Sequence, residues 1–332
     1  MATIYEVSAL AGVSLSSVSR VLNDHQHVSE KTKKKVMDAM QELGFRPNSV
    51  ARSLASNRSN CIGILVSELH GPFYGAMLSE IETELRKAGK HSIVTAGHSN
   101  EQSEKEGIEF LIDRNCDALI MLVDALPNEY FVKLKKNKTP FTVLNRHIPE
   151  IEDNCFYLDN ELGGYLATKH FIEHGHKHIA YISGPLSKQD ATDRFHGHQR
   201  ALKEANIPLN DALVVEGDYL IQSGRDGMAS LLDTGINFTA VACANDEMAA
   251  GAMKTVRDRG FTMPDDYSII GFDNVFFTEY LYPQLSTINF PIKDMAKMST
   301  QWILKHVYKQ KNIDVENFFK PELITRESIS HI

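Results

Sequence analysis

The sequence predicts an α/β protein: two doubly wound, parallel-sheet subdomains preceded by a small all-α helix-turn-helix headpiece. Three observations lead there. From Cys61 onward, continuous apolar runs alternate with amphipathic or turn-bounded segments, the mark of parallel strands covered on both faces. About nine such runs are too many for one small sheet, which calls for two subdomains. Before Cys61 the apolar spacing is helical and the segments are short and capped.

Residues 1–46 make the headpiece. Thr3 and Glu6 have capping-box spacing, each side chain serving an orphan N–H at a helix start. Val7, Leu10 and Ala11 share one helical face, and Gly12 supplies the backbone freedom of a sharp turn. Ser14 caps a second helix whose Val18, Val21 and Leu22 face inward, while Ser16, Ser17, Ser19 and Arg20 face outward. A face of short hydrogen-bonding residues with one guanidinium suits a DNA major groove; an ordinary helical hairpin is the plain alternative. After a polar loop, Asp24 to Val28, Ser29 caps a third helix running to about Leu43, with Val36, Met40 and Leu43 on one face and Gly44 beyond its end. Lys31, Lys33, Lys34 and Lys35 crowd its start, where the helix dipole disfavours cations. A phosphate partner would relieve this, although a solvated charge run is the default.

Residues 47–60 (PNSVARSLASNRSN from Pro47) carry Val50, Ala51 and Leu54 at helical spacing. So short a helix is marginal alone. The segment reads either as a helix that folds only against a partner or as a plain linker.

Residues 61–332 form the body. CIGILV, HSIVTA, DALIMLV and FTVLN build a first subdomain ending near 145–153. CFYLD, HIAYISG, ALVVEG, FTAVACA, YSIIGFD and LSTINF continue the alternation, and the chain crosses back near 290. A last helix, Ile292 to about Tyr308, precedes a short tail without leucine heptads, so no coiled-coil assembly is indicated.

Charge is unevenly spread. The chain has a net charge of −8, yet the first 60 residues hold 8 Lys+Arg against 5 Asp+Glu and the rest 27 against 38. A basic head on an acidic body fits a chain with one end on phosphate. Cys61, Cys116, Cys155 and Cys243 form no CxxC pair, which argues against a zinc or redox motif and suits a reducing cytoplasm. A capped amphipathic helix stands where a signal peptide would start, and no apolar run reaches membrane-span length.

Polar and aromatic residues recur just past the strand ends: Pro72, Phe73 and Tyr74; Asn145 and Arg146; Asp190, Asp193 and Arg194; Asp218 and Tyr219; Asn245 and Asp246; Asp273 and Asn274; Phe290. Ligands of doubly wound sheets bind at the carboxyl ends of strands. Carboxylates, amides and a guanidinium bond sugar hydroxyls, and flat rings cover C–H faces. Each residue alone has a bland reading; Asn245 and Asp246, for instance, simply cap a helix. His174, His176 and His178 resemble a metal tract but sit in a helix–strand turn, and a resident metal is not expected. No GxSxG, HExxH or GxxxxGK[ST] occurs, and Gly163-Gly164 opens a helix rather than a phosphate loop.

Taken together, TIYEVSALAGVSLSSVSRVLN and PNSVARSLA resemble the headpiece and hinge of the lactose/galactose repressor family. The body resembles its galactose-repressor branch in GPFYGAM, HSNEQSEKEGIEFLI, LNRHIPEIEDNCFYLDN, NFTAVACANDEMAAGAM and IIGFDN. The resemblance implies a periplasmic-binding-protein-like body and a cytoplasmic homodimer on a palindromic operator. It places Leu15, Ser16 and Arg20 at base edges, with Thr3, Tyr5, Ser14, Ser17, Ser19, Asn23 and His27 as further DNA contacts. Asn48, Ala51 and Leu54 match a hinge helix that pairs in the minor groove, where a leucine wedges base steps apart. The family's effector positions fall on Phe73, Asn145, Arg194, Tyr219, Asn245 and Asp273. Leu15-Ser16 stands where galactose repressors usually carry Val-Ala, so their half-site preference does not carry over.

The expectation is a repressor released from DNA by a sugar inducer such as D-galactose, with no cofactor and no enzymatic activity. The rivals are a purine-responsive regulator, with a base stacked on Phe73 and Tyr219, and a sugar-binding transport protein.

Overall fold

The computed structural model describes residues 2–22, 27–45, 58–137 and 139–332. Asn23 and the hinge residues Asn48, Ala51 and Leu54 lie outside them. The chain divides into two compact units, Met1–Asn60 and Cys61–Ile332.

In the first unit, α1 (Ile4–Ala11), α2 (Leu15–Leu22) and α3 (Glu30–Glu42) follow the expected boundaries closely. The capping box is complete: Thr3 N–H donates to Glu6 Oε2 at 2.6 Å, and the Thr3 hydroxyl accepts from Glu6 N–H. Gly12 ends α1 at φ +61°, a left-handed turn that a side chain would strain. Ser14 Oγ accepts from Ser17 N–H at 3.2 Å, and Ser29 caps α3. Val7, Ala11, Val18, Val21, Val36 and Ala39 form a small core. Leu10, expected on the inner face, is 46% exposed. Eight residues make barely two turns of helix, and Val7 with Ala11 already covers the contact with α2 and α3.

The second unit holds two six-stranded sheets of the same design. The first runs β11-β5-β4-β3-β1-β2, with β1 (Cys61–Val66), β2 (His91–Ala96), β3 (Ala118–Leu122), β4 (Phe141–Leu144), β5 (Cys155–Leu158) and β11 (Phe318–Phe319). The second runs β12-β10-β9-β8-β6-β7, with β6 (Ile179–Ser183), β7 (Val214–Glu216), β8 (Ala240–Cys243), β9 (Ser268–Asp273), β10 (Ser286–Asn289) and β12 (Glu322–Ile324). All pairings are parallel except β10–β12. Each order reverses at its first strand, the switch point where a ligand crevice opens. The helices are α4 (Pro72–Lys87), α5 (Glu101–Asp113), α6 (Asn128–Lys136), α7 (Asn160–Glu173), α8 (Gln189–Glu204), α9 (Ile221–Asp233), α10 (Asp246–Asp258) and α11 (Ile292–His306).

Two features depart from the sequence reading. The first sheet continues through β5, so the chain crosses between subdomains at Asp159, beyond the 145–153 boundary. After α11 the expected tail forms β11 on the first sheet and β12 on the second, which adds a third crossing and an antiparallel edge. Helix α7 packs on α8 with no side chain between them at two points. A Cβ on Gly164 would overlap the Arg194 carbonyl, and one on Gly197 the Glu161 carbonyl. This backbone contact brings Arg194 up to the strand ends.

Candidate functional site

On the headpiece, the outer face of α2 presents Leu15, Ser16, Ser19 and Arg20, all exposed. Ser17 is half-buried beneath them, and Ser14 Oγ lies 2.8 Å from Ser16 Oγ and 2.9 Å from Ser17 Oγ. Tyr5 on α1 and His27 before α3 are also exposed. Thr3, in contrast, is committed to its cap.

In the second unit, Phe73, Asn145, Arg194, Tyr219, Asn245 and Asp273 all line one cleft of about 570 Å³ at the carboxyl ends of both sheets. Arg194 is its keystone. It is 3% exposed, and its Nε donates to Asn160 Oδ1 at 2.9 Å, its Nη1 to the Ala244 carbonyl at 2.6 Å. Its guanidinium lies 3.8 Å from both Asp190 and Asp273 and 3.7 Å above the Phe272 ring. Burial pulls its pKa down, but Tyr219, Asp190 and Asp273 more than offset this, so it stays charged. Asn160 also donates to Asn145 Oδ1 at 3.0 Å, and Asn145 Nδ2 donates to Asp190 at 3.2 Å.

Asn145, Tyr219 and Asp273 have φ of +55°, +71° and +109°. Non-glycine residues in that region are strained, and such strain gathers at functional sites. Asn245 keeps its helix-capping role, accepting from Met248 N–H at 2.9 Å and donating to the Tyr219 carbonyl at 2.8 Å. Each end of its amide retains one free position for a ligand. Burial drives the Asp273 carboxyl well above the ordinary carboxylate range against the pull of Arg194. Below it, burial raises Asp246 to about 7 even though that carboxylate accepts from Thr287 Oγ1 at 2.6 Å and Val275 N–H at 2.9 Å. Among the described residues, the Tyr219 hydroxyl and Ser183 Oγ are buried without a partner.

The other strand-end residues divide. Tyr74, Arg146, Asp190 and Asp218 reach the cleft. Asp246, Asn274 and Phe290 support it from beneath: Asn274 bonds Asn289 and Arg326, and Phe290 packs edge-on against Phe73 at 5.0 Å. Asp193 is held by Gln189 on α8 instead. Asn160, Asp124 and Lys188 were not singled out by the sequence. Lys188 sits in a post-strand loop like the others, so position marked it although its residue type reads as solvated. His174 Nδ1 donates to the His170 carbonyl, and His176 is fixed by Thr239 and Ser330. Among the described residues no three side chains are grouped to hold a metal, and no helix is long and apolar enough to cross a membrane.

A helix-turn-helix unit followed by two doubly wound subdomains around a polar cleft defines a ligand-responsive DNA-binding regulator. The chain belongs to the lacI family of bacterial regulatory proteins. That family's model matches residues 3–48, and the periplasmic binding protein-like domain matches 168–329. The HTH-type transcriptional regulator GalR of Salmonella typhimurium is 40% identical over 330 residues, covering 99% of this chain and 96% of its own. The transcriptional repressor PurR of Aliivibrio salmonicida is 34% identical, covering 99% of each. The lac repressor dimer bound to operator and the anti-inducer ONPF superimposes with a TM-score of 0.87 at 29% identity, covering 99% of both chains. A family member from Enterococcus faecium with bound ribose matches 82% of this chain and 99% of its own, with a TM-score of 0.71 at 27% identity. The protein is therefore a DNA-binding transcriptional regulator, not an enzyme.

Proposed function

We propose that this regulator is a cytoplasmic repressor that a neutral sugar of the galactose type releases from a palindromic operator. One observation carries the choice of ligand. The cleft is lined by Glu68, Asp124, Asp190, Asp218, Glu247 and Asp273 against Arg146, Lys188 and Arg194, while His70 and His98 lie against Glu68 at 3.5 and 3.2 Å. Those three cations are already engaged, by the Leu126 carbonyl, by Asp124, and by the Asn160–Asp190–Asp273 cluster respectively. An anionic effector would meet carboxylates with no cation to spare. A polyol finds acceptors, amide donors and the rings of Phe73, Tyr74 and Tyr219. The GalR relative and the ribose-bound neighbour support a sugar.

Leu15, Ser16 and Arg20 read base edges in this proposal, and a bidentate arginine–guanine pair contributes about 1–3 kcal/mol of discrimination. A homodimer is supported by a surface no monomer needs. Phe276, Tyr280 and Tyr282 are 73%, 81% and 85% exposed within one short segment, a patch that marks an interface. Sedimentation should give twice the 37.3 kDa chain mass.

The deciding experiment is calorimetric titration with D-galactose, D-ribose, galactose 1-phosphate and hypoxanthine, with and without operator DNA. The proposal expects heat from D-galactose, little from its phosphate, and weaker sugar binding when operator is present. Hypoxanthine binding in its place would make the ligand a purine.

A further inference from the structure

We infer that Lys188 and Asp124 form a clasp that holds the cleft shut and so determines the balance between open and closed forms of the second unit. The inference rests on the effector reading of the cleft for its consequence, but not for its test.

The clasp joins the two subdomains directly. Lys188, at the entrance to α8 in the second subdomain, places Nζ 2.6 Å from Asp124 Oδ2, just past β3 of the first. The same Nζ donates to Ser99 Oγ, past β2, at 2.9 Å. Ser99 and Ser67 in turn donate to Asp124 Oδ2 at 3.3 and 3.4 Å. One cation from the second subdomain thus grips two loops of the first, following β2 and β3, and through Asp124 a third, following β1. The partners are only 19% and 24% exposed, so water screens the pair less than on an open surface.

Its position gives it leverage. The chain crosses between subdomains beside β5, β10 and β11, at one side of both sheets. Asp124 stands two strands from β5 and Ser99 four, while Lys188 follows β6, three strands from β10. Neighbouring strands are about 4.8 Å apart, so the clasp acts roughly 10–20 Å from the crossings. A small rotation there separates Lys188 from Asp124 fully. A second polar bridge runs from Asn145 to Asp190, two residues from Lys188, at 3.2 Å but without a cation; the bond from Asn160 to Asn145 lies beside the crossing at Asp159 and would stretch far less on opening. The clasp is thus the ion pair that breaks when the cleft opens for a ligand and re-forms over it.

The test uses the full chain without DNA or sugar and reads the radius of gyration by small-angle X-ray scattering at low and high salt. The wild type is expected to be compact at low salt and to expand as salt screens the pair. Lys188→Met and Asp124→Asn should each lower the closed-to-open ratio by about fivefold, the scale of a well-formed ion pair, and lose the salt response. The reversed pair, Lys188→Asp with Asp124→Lys, should recover both compactness and salt response, which a folding defect could not. Single variants as compact and salt-responsive as the wild type, or a reversed pair as expanded as the singles, would overturn the clasp. Neither result bears on which sugar the cleft takes, and failure of D-galactose to bind would leave this measurement intact.

Discussion

The two walls of the cleft are built on different principles. The wall from the second subdomain is a connected lattice: Arg194 ties Asn160, Ala244, Asp190 and Asp273, Asn245 ties Tyr219, and Asp246 ties the 273–275 turn. Its reading groups are fixed before any ligand arrives. The wall from the first subdomain sets the rings of Phe73 and Tyr74 among polar side chains carried on separate loops, and it reaches across through Asp124 and Asn145. The contrast suggests a rigid reader facing a movable cover. Such a division suits a switch, because a ligand shifts an equilibrium only through contacts it makes better in one state than in the other. A reader that is always formed contributes equally to both states; closure of the cover supplies the difference.

The largest expected effect comes from breaking the reader's scaffold. Gly164→Val would drive a side chain into the Arg194 backbone and should cost about 3 kcal/mol or more of stability, seen as a lower melting temperature together with loss of sugar binding. Next, the walls should respond differently to their own loss. Asp273→Ala should weaken D-galactose binding about tenfold, the scale of a lost buried hydrogen bond, with unchanged operator affinity in mobility-shift assays. Phe73→Ala should weaken it by a smaller factor and, if closure over the sugar is what releases the operator, should also favour the open form and tighten operator binding. Equal effects of both variants on operator binding would remove the distinction between reader and cover.

A further expected effect, spread over several pH units and small at any one step, is on pH dependence, and it isolates the second subdomain. Burial lowers His198 to about 3 from 6.5, so its contribution to stability is complete above pH 6.5 and declines as pH falls towards 3. Asp246, raised from 3.8 to about 7, acts in the opposite sense: its contribution is complete below pH 4 and declines as pH rises through 7. Between about pH 4 and 6.5 the two slopes oppose each other. Asp246→Asn should therefore make the protein more acid-sensitive in that window, by up to ~1.4 kcal/mol per pH unit, readable in urea titrations. An unchanged pH slope would mean that Asp246 is ionised in the fold.

Local patterns made much of this molecule legible. The headpiece caps at Thr3, Ser14 and Ser29 follow from a few adjacent residues. Strands β1 to β10 follow from apolar runs, and six cleft residues from their place after those strands together with the family resemblance. What escaped depends on partners distant in sequence. Phe318–Phe319 and Glu322–Ile324 are too short for any periodicity and become strands only by docking on a sheet edge. Asn160 looks like an ordinary first residue of a helix until Arg194 and Asn145 meet it. Lys188 and Asp124 are 64 positions apart, and nothing local pairs them. Gly163-Gly164, read correctly as helix, gives no hint that α8 lies against it.

Ligand and operator are expected to favour opposite states of one chain, and reciprocity tests this most directly. Measured in the same buffer, operator should bind the galactose-saturated protein more weakly than the free protein. D-galactose should bind the operator complex more weakly by the same factor, expected to be at least about tenfold. Equal operator affinity with and without bound sugar would contradict the account.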